Sequence, residues 1–224
     1  MKKKKENEFL DKEKTTYGNL YSELIFVLDD IEDLSEDSTL KERAYYKNIK
    51  ILKKYNDLLD KLSRELPEKK SFLSFLNKSK ENEIIKECED FKKTYKDSLD
   101  KIFVCSKCMC VKCIRECGFN PCLSCNKTGN VNYCDKENTN LIVFKNFIKQ
   151  QYNNETNENE PIEILCEVEM LDMDKRFRII KEVLSGEQLV LEYVYNIKDG
   201  DLYNSIEDVD LFNEIIDIYE SNKI

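Results

Sequence analysis

Apolar residues recur at three- and four-residue spacing from about Leu20 to Leu34. Leu20, Leu24, Val27, Leu28, Ile31 and Leu34 fall on one side of a helical wheel. A polar break, SEDST, follows, and Thr39 with Glu42 three residues later reads as a capping box. The next stripe runs through Ala44, Tyr45, Ile49, Leu52, Tyr55, Leu59 and Leu62 until Pro67 ends it. After the short apolar piece SFLSFL, a third helix is predicted on Ile84, Ile85, Cys88, Phe91, Tyr95, Leu99 and Ile102. Three striped helices with short links predict a helical bundle or a helical hairpin with an extra arm. The same stripes would serve as an intermolecular seam, so a coiled-coil homodimer through these helices is the competing expectation. The opening MKKKKENE reads as a solvated tail.

Past Cys134 the period changes. DKENTN reads as a polar linker, LIVFKNFI as a strand or short helix, and NNETNENEP as a loop. IEILCEVEM, RFRIIKEV and QLVLEYVYNI then alternate apolar and polar residues, with SGE and KDGD as turns. From about Ile206 to Tyr219 the helical spacing returns on Val209, Phe212, Ile215, Ile216 and Tyr219. The expected fold is therefore α+β and multi-module. Residues 1–104 form a helical arm or bundle, 105–134 a cysteine-rich module, 135–160 a linker with one short element, and 161–224 a small antiparallel sheet with a C-terminal helix.

Within the last part, LEYVYNIKDGDLYNSIEDVDLFNEIIDIYE carries Tyr195, the Asp199-Gly200-Asp201 turn, the Ile206-Glu207-Asp208 step, Phe212, Ile215 and Tyr219. This order resembles the tail of the uncharacterised YrzB-like bacterial domains, over about residues 162–220. Those domains have no assigned activity, so the resemblance implies a fold and no chemistry.

Charge sharpens the division. Acidic and basic residues balance through residue 104, and 105–134 is slightly basic. Residues 135–224 hold nine Lys and Arg against twenty-one Asp and Glu, a net of −12 within a total of −9. Such a surface repels phosphate and suits a basic protein partner, or imitation of a nucleic acid. No run of 18 apolar residues occurs, so no membrane association is expected. Lys2 to Lys5 are followed by charged residues where an export signal needs apolar ones, and a cytoplasmic location is expected.

The densest chemistry lies in CSKCMCVKCIRECGFNPCLSCNKTGNVNYC. Its eight cysteines are Cys105, Cys108, Cys110, Cys113, Cys117, Cys122, Cys125 and Cys134. Three Cys-x2-Cys pairs let two thiolates reach one tetrahedral ion at about 2.3 Å from each sulfur. In a reducing compartment metal is favoured over disulfides. Eight thiolates match two closed four-cysteine zinc sites. An iron-sulfur cluster is the rival, although the single residue between Cys108 and Cys110 breaks the ferredoxin spacing. The spacing leaves open which cysteines share an ion. The few apolar residues between them cannot fold this segment by burial alone, so metal binding would supply the folding energy, of order 10 kcal/mol per site. CLSCNKTG is similar to half of the zinc-domain repeat of DnaJ-type chaperones, with Lys127 where that repeat has a glycine. The likeness extends to a zinc-knuckle turn.

Closed four-ligand sites leave no open position for substrate, and the chain has no histidine to act as a base. Three function classes remain. A non-enzymatic scaffold or adaptor would bind a protein partner through helical or acidic surfaces. A nucleic-acid-associated zinc protein would use Lys107, Lys112, Arg115 and Lys127 on phosphates and Phe119 and Tyr133 for stacking. A redox or metal sensor would lose its ions on oxidation. Cys88 and Cys166 fall at apolar positions and read as core packing.

Overall fold

The structure is a computed structural model that describes residues 2–36, 38–65, 74–119, 129–153, 158–196 and 200–223. The chain divides into two compact units. The first holds Met1–Ser106 and Val111–Ile114; the second holds Lys107–Cys110, residues 115–119 and residues 129–223. The fold is mixed α+β. Among the described residues it comprises five helices and an antiparallel seven-stranded sheet with a C-terminal helix.

In the first unit α1 (Lys2–Glu13) passes through a π-helical turn, Lys14–Gly18, into α2 (Asn19–Glu32). A 3-10 turn, Thr39–Glu42, leads to α3 (Ala44–Glu65), and α4 (Ser74–Thr94) and α5 (Lys96–Cys105) follow. The apolar stripes of these helices meet in one core that contains Leu24, Leu28, Ile31, Ile49, Leu52, Tyr55, Leu59, Leu62, Cys88, Leu99 and Ile102.

Three details depart from the sequence reading. The tail is helical, because Leu10 is buried in the core and Glu13 behind it finds polar partners. Tyr55 Oη donates to Glu13 Oε2 at 2.6 Å, and Lys92 Nζ donates to Glu13 Oε1 at 2.9 Å. The expected capping box is instead a 3-10 turn capped by Ser38, whose hydroxyl accepts from Leu40 N at 3.4 Å. The third helix breaks at Tyr95, whose φ of −110° and ψ of 23° leave the helical region. Backbone bonds from Tyr95 N to Phe91 O and from Leu99 N to Tyr95 O carry the chain across the bend.

The second unit is built on β1 (Asn130–Cys134), β2 (Thr139–Val143), β3 (Ile148–Asn153), β4 (Glu158–Met170), β5 (Lys175–Glu182), β6 (Gln188–Asn196) and β7 (Gly200–Ser205). Strand order is β1-β2-β4-β5-β6-β7, and β3 pairs with the first half of the long β4. The stretch expected to be a linker, 135–160, thus carries β2, β3 and the start of β4, and the sheet begins at Asn130 rather than near residue 161. The polar DKENTN is a turn within a hairpin: Asp135 Oδ1 accepts from the N–H groups of Glu137, Asn138 and Thr139 at 2.8–2.9 Å. Gly129 enters the hairpin where only glycine fits, since a Cβ there would lie 2.7 Å from Ile142 Cγ2 and 2.8 Å from Val143 O.

A bulge between Ile164 and Cys166 decides what each face buries. Beyond it Cys166, Val168 and Met170 join Leu141, Phe177, Ile179 and Val190 under α6 (Val209–Asn222), which contributes Ile215. Before it Ile162 and Ile164 point to the opposite face with Ile180, Leu191 and Tyr203. Asp208 caps α6, accepting from Asp210 N at 2.9 Å and Leu211 N at 3.1 Å.

The face opposite α6 is concave. Lys149 on β3 and Asp201 on β7 are four strand spacings apart, roughly 19 Å in a flat sheet. Their charged groups nevertheless lie 2.6 Å apart, so the sheet curls strongly. Inside the curl Arg178 is buried. Its Nε donates to Glu167 Oε2 at 2.7 Å, its Nη1 donates to Tyr203 Oη at 3.0 Å, and its guanidinium carbon stands 3.2 Å from the centre of the Tyr193 ring. Burial alone would raise the Asp201 carboxyl, but hydrogen bonds from Lys149 and Tyr193 hold it below the usual carboxylate range.

Two predictions follow from this face. Glu167→Ala leaves the Arg178 guanidinium buried without its main partner and should cost about 3–5 kcal/mol in urea unfolding, more than the paired replacement by apolar residues. Because the folded-state pKa of Asp201 is depressed, its contribution is present above the unfolded carboxylate pKa of about 3.9 and is lost as pH falls through the folded value. Acid titration of stability should therefore be shallower in Asp201→Asn than in the parent below about pH 4, as read by circular dichroism.

Candidate metal centre

The six described cysteines of the cluster are held by ordinary local structure, each at half-burial. Cys105 is the last residue of α5 and packs against the helical core. Val111 in the 3-10 turn Met109–Lys112 is buried in that same core, and Tyr45 Oη donates to the carbonyl of Cys113 at 3.4 Å. In the second unit the Cys108 thiol donates to Asn130 Oδ1 at 3.5 Å, at the first residue of β1. Cys134 ends β1, and its sulfur accepts from Lys136 N at 3.3 Å. Cys110 lies in the 3-10 turn, and Cys117 precedes Gly118 and Phe119, which line a cleft with Glu169, Leu171 and Arg176.

Cys122, Cys125 and Lys127 lie outside the described residues. Among the described residues no three Cys, Asp or Glu side chains stand close enough together to hold an ion. The donor set itself is chemically suited to zinc. It is all sulfur, and half-burial keeps the thiols within reach of an ion while the flanking elements fix their backbone.

No family model, curated protein or solved structure matches the chain. The site must accordingly be read from its own chemistry.

Lys107, Lys112 and Arg115 are exposed, as phosphate-contacting residues would be. The aromatic partners expected for them are not presented in the same way. Phe119 is only 5% exposed, and Tyr133 packs against the sheet core. Cys88 and Cys166 are fully buried, and burial pushes their thiols up to about 11 and about 12 respectively. The core-packing reading of these two fits their surroundings.

Sequence reasoning missed Asn130, which meets Cys108, because an asparagine next to glycine signals a turn before it signals a partner for sulfur. It also missed the row formed by Asn140 and Glu169. Asn140 Nδ2 donates to Glu169 Oε2 at 2.9 Å, while the buried Asn140 Oδ1 has no hydrogen-bond partner. Only the register of β2 on β4 brings them together.

The two groups of thiols should differ in reactivity. In the native protein at pH 8, Cys88 and Cys166 should resist iodoacetamide until denaturant is added, because both are buried and hold their protons. Peptide mass mapping after timed labelling checks this, and rapid native labelling of either would contradict their placement.

Proposed function

We propose that this protein is a non-enzymatic adaptor. A helical unit and an acidic α+β unit flank a cysteine-rich segment that is stabilised by two structural zinc ions, and the acidic unit binds a basic protein partner. The observation that carries the reading is the surface character of the second unit. From residue 182 to 222 the chain has eleven Asp and Glu against a single basic residue, Lys198. The same stretch exposes Val183, Leu184, Val194, Tyr195, Leu202, Val209 and Phe212. Carboxylates interleaved with exposed apolar side chains favour a basic, partly apolar protein surface, and they disfavour nucleic acid through phosphate repulsion.

Zinc would be held by Cys105, Cys108, Cys110, Cys113, Cys117, Cys122, Cys125 and Cys134, and would contribute folding energy rather than a reaction. Support comes from the number and spacing of the thiols and from the local anchoring of three of them, Cys105, Cys110 and Cys134, on α5, the 3-10 turn and β1. Fixed backbone positions lower the entropy that metal binding has to overcome.

Protein purified without added metal should carry about two zinc ions per chain and absorb no visible light. Cys113→Ser and Cys134→Ser should each lower the zinc content, with unfolding of the segment between them as seen in limited proteolysis. Brown protein containing iron and sulfide would overturn the zinc reading and favour electron transfer or sensing. Loss of partner capture on changing Glu207, Asp210, Glu214 and Asp217 to Lys tests the acidic surface separately from the metal.

A further inference from the structure

Strand β1 separates the cysteines of the second unit both by face and by end. Asn130, its first residue, pairs with Val143, and Val143 packs on the core under α6. Direct cross-strand partners share a face, so Asn130 is on the α6 side, where its Oδ1 accepts from the Cys108 thiol at 3.5 Å. Cys134, the last residue of β1, pairs with Asn140, which pairs in turn with Glu169. Glu169 shares the concave face with Glu167, two residues before it, and accepts there from Asn140 Nδ2 at 2.9 Å. Cys134 is therefore on the face opposite α6. The bulge between Val131 and Tyr133 causes the change of face, because residues four apart on a regular strand would point the same way.

Cys117 enters on the Cys134 side. Gly118, which follows it, lines a cleft with Glu169, Leu171 and Arg176, and packs so closely on Leu171 that a Cβ would lie 3.1 Å from Leu171 Cδ1. Leu171 N donates to Asn138 O at 2.9 Å, and Asp172 N donates to Asn138 Oδ1 at 2.7 Å. The turn between β4 and β5 is thus bonded to the turn that follows Cys134. At that same turn Lys136 N donates to Cys134 Sγ at 3.3 Å. An N–H donated to sulfur favours the thiolate, which is the form that binds metal.

Distance separates Cys108 from this end. Asn130 and Cys134 are four residues apart along β1, about 13 Å at roughly 3.3 Å per residue. Two sulfurs that each stand about 2.3 Å from one tetrahedral ion are only about 4 Å from each other. A thiol bonded to Asn130 on one face therefore does not share an ion with Cys134 on the other.

We infer that the two metal ions are divided across β1, with Cys117 and Cys134 as ligands of one ion on the concave side and Cys108 as a ligand of the other. This rests on the zinc reading of the cluster and deepens it by assigning thiols that spacing left unassigned. Every division of the eight cysteines that joins Cys108 to Cys134 is ruled out.

The test uses the full, unmutated chain loaded with a magnetic isotope of cadmium in place of zinc. Each bound cadmium then gives its own resonance and correlates with the β-protons of the cysteines that hold it. Those of Cys117 and Cys134 should correlate with one cadmium, and those of Cys108 with the other. Cys108 and Cys134 on one cadmium, or Cys117 and Cys134 on different ones, overturns the division.

Zinc content gives a second readout. Cys117→Ala with Cys134→Ala should lose one of two ions, no more than either change alone, whereas Cys108→Ala with Cys134→Ala should lose both. Retention of one ion by the latter protein counts against the division. Parent protein that binds neither zinc nor cadmium overturns the zinc reading itself and the division with it; two ions held in another grouping overturn the division alone.

Discussion

The second unit is organised around a buried guanidinium. Arg178 cannot leave its charge in the concave face of the sheet without partners, and it obtains them from β4, β6 and β7 at once: Glu167, Tyr193 and Tyr203. Glu167 is its direct cross-strand partner, and Tyr193 and Tyr203 reach it from the next two strands on the same face. Curling in turn brings Lys149 against Asp201, joining strands far apart in the sheet order. The bulge after Ile164 belongs to the same arrangement, because it turns Ile162 and Ile164 toward the concave side while leaving Cys166, Val168 and Met170 under α6. The buried guanidinium, the Lys149–Asp201 pair and the bulge thus all bear on the one concave face.

The helical unit solves a smaller version of the same problem. Glu13 is buried among helices and is held by Tyr55 and Lys92, with Tyr17 packed edge-on against Tyr55 at 5.2 Å. This polar cluster explains why the basic N-terminal stretch continues as helix into a π-turn instead of fraying. Leu10 and Glu13 give it one apolar and one ionic anchor. Together with the common core of the apolar stripes, these anchors leave the helical arm self-contained.

Between such well-anchored elements the cysteine segment has little apolar material of its own. Its described residues borrow order from their neighbours: Val111 from the helical core, Cys108 from Asn130, and Phe119 from the cleft beside Glu169 and Arg176. That pattern rests on partners distant in the chain. It also separates the two kinds of cysteine in the chain. Cys88 and Cys166 are fully buried in regular elements, and the six described cysteines of the cluster are half-buried.

What the sequence determined by itself follows from periodicity and composition. The buried faces of α2 and α3, the strands β4, β5 and β6, the C-terminal helix, the acidic excess and the thiol spacing were all legible, because each depends on neighbours within a few residues. The limits appeared where partners are distant. In IEILCEVEM every second residue is apolar, so a single buried face is the natural reading. Only the bulge sends the first two to one core and the last three to another. The polar stretch after Cys134 read as a linker because β2 and β3 are short and gain their stability from β4, and the ion pairs of Lys149 and Arg178 with Asp201 exist only in the curled sheet. The cysteines were visible as a donor set from their spacing, but their positions on α5, a 3-10 turn and β1 were decided by the tertiary structure. Packing of Cys105 and Val111, and the register that sets Asn130 at the start of β1, are long-range facts that local sequence does not encode.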